Sequence, residues 1–595
     1  MHYSKLLLSG FVLISSSLGC TASHADDLLA LSLEDLMQIQ VVSSTLTEKN
    51  LRTVPSSVTV FTHAQINAMG IDYLDDLLNF VPGFQAFRQA DSGGEYYHSS
   101  RGGRSGTSSR EVLILIDGKR INAEFAAGSV HMIALKNFEK VEVIRGPGSA
   151  IYGSNAFLGV INITTIKNKD MLSLLAGSNN RTQAQLFKTA QLGEWNLDFF
   201  GNAYNDRGQA YVIEHADTRN PYQTRDPIDG YDLDVKLGNQ KSQLSATYFK
   251  RNAQDFYLSE KTSNEFNESE VSDTSIHFQQ ILDWAADIRT DYSLRYHQRS
   301  SYLQLPLIPP SVDATFKEAA YEFNLHNNWL INDTHSVQFG LENRHIDSEA
   351  VNLNIGISKL LITEDYQRDV VGLYVQNQNS FGKNTELTLG ARYDYYSKIG
   401  AAFNPRLGLT HQVSDFQTVK LLYGKAFRAP GIGDLTLTSN SDLVGNPDLN
   451  PEIIATWELV WMGNWKKNNL TITAFDNLVE DSIVQGFDKD GITRMYVNAK
   501  DSQRSRGVEF EYVAQINSNW QVRSQYSVFN KLPETAFRQA DTIASFIVNY
   551  ERQPWNLNFS ANYAAERKMI LGTNFIELDP YWLLNGKLQY LFHNN

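Results

Sequence analysis

The chain has 595 residues and a net charge of -14, with a pI near 5.5. It is longer than one ordinary soluble domain, and the acidic balance argues against a broad nucleic-acid surface. Mean hydropathy is -0.33, and past the leader no run of about 18 apolar residues occurs, so helical membrane spans are not expected. A transmembrane barrel stays open, because alternating strands escape hydropathy windows.

Residues 1–25 read as a secretory signal: Lys5 gives a positive start, Leu6 to Ile14 an apolar core, and Ser23-His24-Ala25 suits cleavage before Asp26. The single cysteine, Cys20, lies inside it. Leu18-Gly19-Cys20 is similar to a lipoprotein cleavage box, although Ser17 is poor where an aliphatic or small apolar residue is preferred. Cleavage after Ala25 leaves a mature chain without cysteine, which suits an exported protein stabilised by closure rather than by disulfides. Residues 26–50 are short and mixed, with about two helical turns expected over Leu31 to Met37 and an extended run over Gln38 to Ser43.

From Val54 a compact domain is expected. Ser57-Val58-Thr59-Val60-Phe61 alternates as a strand, and Thr62 can cap a helix carrying Ile66, Met69, Leu74, Leu77 and Leu78. Val81-Pro82-Gly83-Phe84 stops that helix. Residues 85–110 read mostly as loop; their glycines lack the Gly-Lys-Ser/Thr of a phosphate loop. Val112 to Ile116 is a short buried strand closed by a tight turn at Asp117-Gly118. Gly146, Pro147, Gly148 and Gly153 then punctuate the segment after Val143-Ile144-Arg145.

Taken in order, Ile116-Asp117-Gly118, Val143-Ile144-Arg145-Gly146-Pro147, Tyr152-Gly153 and Gly159-Val160-Ile161-Asn162-Ile163 resemble the plug domain of TonB-dependent outer-membrane receptors. Val81-Pro82-Gly83 and Arg101-Gly102 extend the resemblance upstream. It implies an α+β plug over residues 51–168 inside a transmembrane antiparallel β-barrel of about 22 strands over 169–595. It also implies a short extended TonB box ahead of the plug, pairing as an added strand with the energy-transducing partner TonB. Ile39, Gln40, Val41, Val42 and Ser43 are the candidate box; the other reading is a plain hydrophobic lead-in. The loop carrying Arg88, Tyr96, Tyr97 and His98 would be a plug apex facing an external ligand, or simply an exposed loop. A second apical loop is expected at Ala123 to His131.

After Thr165 the texture changes to alternating segments of about ten residues. Leu387, Leu389, Ala391, Tyr393 and Tyr395 alternate with Thr388, Gly390, Arg392 and Asp394. Trp555, Leu557, Phe559, Ala561 and Tyr563 alternate with polar residues. Trp457, Leu459 and Trp461 flank Glu458, though Val460 breaks the polar side. In a soluble sandwich the apolar faces would meet across a core; in a membrane barrel they face lipid, and aromatics at strand ends suit the interface. Asn404 to Leu409, Tyr423 to Pro430, Gly445 to Glu452 and Arg504 to Glu509 also look like receptor-barrel motifs. About twenty strands are countable, and Tyr581 to Phe592 reads as an interior strand. The family's final motif is missing, so the last hairpin is expected to be absent.

The family holds its plug with charged pairs, and Arg101 and Arg145 match the plug side, Glu458 and Glu509 the barrel side. Strand parity independently turns Glu458, Glu509 and Glu511 away from their apolar neighbours. The other reading is ordinary solvated lumen charges. The 13 histidines form no metalloprotease motif, no nucleophile elbow is present, and Asp488-Lys489-Asp490-Gly491 lacks the remaining ligands of a calcium loop. No cofactor, no metal and no enzymatic activity are therefore expected. The resemblance implies TonB-dependent import of a ferric siderophore or cobalamin, with outer-membrane lipid, TonB and a small ligand as partners and no nucleic acid. The alternatives are a passive channel or adhesin barrel with a vestigial plug, and a soluble β-rich protein.

Overall fold

The computed structural model describes residues 40–41, 49–88, 96–103, 110–124, 133–214, 221–255, 267–305, 312–438, 443–488, 491–534, 536, 538–571 and 574–592. The leader, Cys20, Ile39, Val42, Ser43 and most of the expected second apical loop lie outside them.

The N-terminal domain is built on a five-stranded sheet. Its order is Ser57–Thr62, Phe138–Arg145, Gly159–Thr165, Val112–Ile116 and Lys119–Arg120. Val112–Ile116 runs parallel to Gly159–Thr165 and is apolar throughout, as a strand covered on both faces must be. Its turn uses Asp117 and Gly118, both at positive φ, which matches the twist of a two-residue hairpin. Asp117 also accepts from the Thr165 backbone N–H at 2.9 Å and from the Thr165 hydroxyl at 2.8 Å, tying the turn to the neighbouring strand.

Thr62 caps the helix His63–Met69: its side chain accepts from Gln65 N, and Gln65 Oε1 accepts from Thr62 N at 3.1 Å. The single helix expected from the apolar spacing is in fact two. Gly70, at φ 70, ends the first with a left-handed cap, and Leu74–Leu78 forms the second. Both bury their apolar residues in one cluster with Phe61, Phe80, Phe84, Val141 and Ile161. That cluster also includes Ala426, Ile454 and Ile547 from the second domain, so one core spans both.

The second domain is a 22-stranded antiparallel sheet running from Met171–Ala176 to Tyr581–Tyr590. Two of these strands, Val351–Ile355 and Ser358–Thr363, form a hairpin beyond the end of His335–Ser348, where Leu353–Ile355 pairs with the first residues of Val312–Asn332. His335–Ser348 pairs directly with Tyr366–Phe381 beneath it, which leaves twenty strands in the wall. Tight turns join the strands at one end. The longer connections, with hairpins such as Ala210–Glu214/Pro221–Arg225 and Ile483–Phe487/Arg494–Asn498, lie at the other. Among the described residues no ladder joins the first wall strand to the last, and Leu583 and Leu584, on opposite faces of the last strand, are both exposed.

Alternation separates two surfaces. On Glu452–Trp465, Leu459 is 55% exposed and Glu458 5%. On Thr385–Tyr396, Leu389, Tyr393 and Tyr395 face outward, while Thr388, Arg392 and Asp394 are buried in the lumen. Val460, out of pattern in sequence, is buried with Leu422 and Met462 in an apolar patch of the lumen. The outward band is the surface that lipid covers. A Leu459→Arg substitution puts a charge into that band and is expected to destabilise the barrel by about 2–4 kcal/mol, measured by urea titration of protein refolded in lipid vesicles; an unchanged midpoint would place Leu459 outside the bilayer.

Candidate functional site

The two domains meet through buried charge. Arg101 follows the strand Tyr96–Ser100 and sits at φ 56, a left-handed conformation that costs a non-glycine residue roughly 1–2 kcal/mol. Its N–H donates to Gly83 O at 2.7 Å, fixing this turn. The guanidinium then grips Glu509 with two bonds, Nε to Oε1 at 2.8 Å and Nη2 to Oε2 at 3.1 Å. The same Nη2 reaches Glu458 Oε2 at 3.1 Å, and the group lies 4.6 Å above the centre of the Phe475 ring. Arg145, at the end of Phe138–Arg145, donates to Glu509 Oε2 at 2.8 Å, the oxygen that Arg101 Nη2 also binds.

Ser57, Thr59 and Arg523, not singled out in the sequence, complete the cluster together with Glu511, whose inward direction the strand parity had given. Ser57 Oγ donates to Glu458 Oε2 at 2.6 Å, and Thr59 Oγ1 donates to Glu511 Oε2 at 3.0 Å. Arg523 binds Glu511 at 3.0 Å and the carbonyl of Val60 at 3.1 Å. The signal for Glu511 was its spacing of two from Glu509 on the same strand face; a lone Ser or Thr on a plug strand carries none. Arg101 is 1% exposed. Burial opposes its charge, but Glu458 and Glu509 outweigh that and hold it above its ordinary pKa, so it stays cationic.

Two motif glycines have a physical reason here. A Cβ on Gly83 would collide with Glu509 Oε1, and one on Gly146 would collide with Glu458 Oε1; both residues also sit at positive φ. The carboxylates lie directly against plug backbone, which only glycine permits.

A second contact zone lies towards the end with the long connections. Glu124 accepts from Arg344 at 3.1 Å and Arg368 at 2.9 Å, and its own N–H donates to Glu318 at 3.0 Å. Arg110 pairs with Asp434 at 3.2 Å, on the short helix Ile432–Thr436 of a long connection. On another sector of the wall Lys236 pairs with Asp117 at 2.8 Å.

The residues expected at an apex fall out differently. His98 is buried, and its Nε2 pairs with Asp75 of the helix Leu74–Leu78. It is thus committed inside the plug and does not face outward. The strands Phe84–Arg88 and Tyr96–Ser100 form a hairpin that pairs Arg88 with Tyr96 and Phe87 with Tyr97; the side chains of Arg88, Tyr96 and Tyr97 lie outside the described residues. Near the N-terminus, Gln40 and Val41 pair antiparallel with Asn50 and Lys49, and Val41 is fully buried against Val54 and Val60.

Glu509→Ala leaves both arginines without their main partner and is expected to cost plug docking about 3–5 kcal/mol, read as faster hydrogen exchange in Ser57–Thr62 and Phe138–Arg145 with the barrel ladders unchanged. For Glu124, burial raises the carboxyl pKa, but Arg344, Arg368 and Arg120 lower it further, from 4.5 to about 2. Its stabilisation is therefore complete above the ordinary value and lost as the pH falls from 4.5 towards 2. The plug of wild-type protein should loosen in that window and that of Glu124→Gln should not show that step, as measured by protease nicking after acid exposure.

The chain matches two family models: TonB-dependent Receptor Plug Domain over residues 50–160, and TonB dependent receptor-like, beta-barrel over residues 169–595. It is 26% identical over 575 residues to the vitamin B12 transporter BtuB of Vibrio vulnificus strain YJ016, covering 92% of this chain and 87% of that one. A BtuB of strain CMCP6 is 26% identical over 461 residues, 75% of this chain and 70% of the relative. In fold it is similar to the siderophore receptor PirA of Acinetobacter baumannii, with a TM-score of 0.75 at 17% identity over 90% of this chain and 92% of that one. The ferric enterobactin receptor PfeA of Pseudomonas aeruginosa aligns with a TM-score of 0.74 at 16% identity, over 91% and 93% of the two chains. A plug pinned by buried charge inside a wall of alternating strands, matched over both domains, makes this chain a member of the TonB-dependent receptor family, a β-barrel protein of the outer membrane.

Proposed function

We propose that this receptor imports cobalamin or a ferric siderophore, drawing energy from TonB, and does no chemistry on its cargo. The observation that supports this most directly is the buried pairing of Arg101 with Glu458 and Glu509. A plug held by uncompensated-if-broken charges does not leave the lumen by thermal motion alone, so passage calls for an external pull. In this reading Arg101, Arg145, Glu458 and Glu509 are the lock between plug and barrel. Ile39, Gln40, Val41, Val42 and Ser43 are the TonB box, offered to TonB as an added strand. The ligand sits outside, between the plug apex and the long barrel connections.

Cobalamin comes first among the ligands, because two relatives similar over most of the chain are BtuB proteins; the siderophore receptors share the fold at low identity. The decisive experiment is uptake of labelled cobalamin and of iron chelates by cells with and without TonB, alongside a Val41→Pro variant. Proline removes a donor from the added strand. Uptake should fall to the TonB-free background in Val41→Pro while surface binding of ligand is kept. Uptake that persists without TonB would instead make the protein a passive channel.

A further inference from the structure

Lys420 lies on the barrel strand Gln417–Arg428 with its side chain turned into the lumen, 2% exposed. Its ammonium donates to three backbone carbonyls of the plug's lead-in segment: Leu51 O at 2.9 Å, Val54 O at 2.8 Å and Ser56 O at 3.4 Å. An ammonium has three protons, and here all three are directed at one short stretch of chain. Burying a cation without a bonded carboxylate is costly unless its donors are satisfied, so the segment and the lysine stabilise each other only while docked.

Neighbouring contacts hold the same stretch. Arg406 donates to Pro55 O at 3.1 Å, and Lys49 pairs with Glu386 at 3.1 Å. Gly408 leaves the room that Pro55 occupies: a Cβ there would stand 2.6 Å from the Pro55 Cβ. The stretch in turn carries the strand Gln40–Val41. Val41 packs on Val54, whose carbonyl Lys420 holds, and pairs in register with Lys49.

We propose that Lys420 is a latch that parks the segment bearing Val41 against the barrel wall, so that this strand is withheld from an incoming partner until the three carbonyl bonds give way. The lysine touches no ligand; it is a positioning residue that sets how readily the segment is released. The bonds run to main-chain oxygens, so they can be traded for water one at a time, and the latch can open under tension without unfolding the sheet that begins at Ser57. The proposal rests on the transport reading given above, and its test separates the two.

The full-length receptor in outer-membrane vesicles, with Val41→Cys as its only mature cysteine, is treated with a membrane-impermeant maleimide from the periplasmic side. Lys420→Met keeps the length and apolar body of the side chain and removes its donors. Labelling is expected to be at least tenfold faster in Lys420→Met than in the parent. Binding of the purified periplasmic domain of TonB to ligand-free receptor, with residue 41 left as valine, should tighten in parallel. Gly408→Ala, which displaces Pro55 without touching the lysine, should act in the same direction. Heat-modifiable migration reports that each barrel is folded, and a Lys420→Met barrel that fails to fold leaves Gly408→Ala to decide. Unchanged labelling and TonB binding in a folded variant would overturn the latch. TonB that binds none of the receptors under any condition, ligand included, would instead overturn the transport reading.

Discussion

The structure depends on how a buried carboxylate is shared between two arginines. Glu509 accepts from Nε and Nη2 of Arg101 and, at the same Oε2 as Nη2, from Nη1 of Arg145, while Glu458 shares Nη2 of Arg101. In so dry a place each charge is tolerable only because the others are present. The glycines of the two nearby motifs follow from this, since carboxylate oxygens that must reach guanidinium groups through a layer of backbone leave no volume for a Cβ at Gly83 or Gly146. The left-handed turn at Arg101 follows as well: it is the conformation that sends this side chain off the end of Tyr96–Ser100 towards the wall.

An interface made this way is specific rather than simply strong. Replacing such pairs with packed apolar residues often stabilises a protein, so the charges make better sense as a register device. The apolar part of the interface, where Ala426, Ile454 and Ile547 join the plug core, is non-directional and would tolerate rotation of the plug. The charge cluster, Glu124 between Arg344 and Arg368, and Asp117 on Lys236 sit on different sectors of the wall. Three directional contacts spread around a ring fix both rotation and height.

The barrel was legible because its alternation is a local property. Each Leu or Trp of Glu452–Trp465 declares its face by its position relative to Glu458, whereas Val460, like Ile454 and Met462 on the same face, needed the lumen to explain its burial. The inward direction of Glu458 and Glu509 was readable for the same reason. Which arginine each would meet was not, since the partners are 357 and 408 residues apart in sequence, and only the family resemblance suggested them. The plug was less legible. A run of apolar residues at helical spacing hid the break at Gly70, because spacing survives a short interruption while the backbone does not. His98 looked like an apical loop residue because the glycines before it suggest irregular chain; in fact that stretch returns as a paired strand and brings the imidazole back under the helix that carries Asp75.

The rest of the interface could not have been read from side-chain types at all, because the barrel grips the plug largely by its main chain. Arg295 donates to Arg120 O at 2.6 Å, Arg392 to Ile151 O at 2.8 Å, Arg406 to Pro55 O and Arg523 to Val60 O, both at 3.1 Å. Every residue offers a carbonyl, so such contacts leave no mark in the plug sequence; their only trace is a cation on the lumen face of a strand. This has a consequence for movement. A side-chain ion pair broken in a dry lumen strands two charges, whereas Arg295, Arg392 and Arg523 keep a barrel carboxylate when they release a carbonyl, so that one water can satisfy each freed group. A plug held by buried ion pairs and by main-chain contacts thus has two kinds of resistance: discrete barriers at Arg101, Arg145, Arg110, Asp117 and Glu124, and a graded, rehydratable grip at the main-chain contacts. If the pull comes at residue 41, as proposed, it meets the part-exposed Lys49–Glu386 pair and then the graded contacts at Leu51, Val54 and Pro55, and reaches the buried ion pairs only after the segment that leads to them has come free.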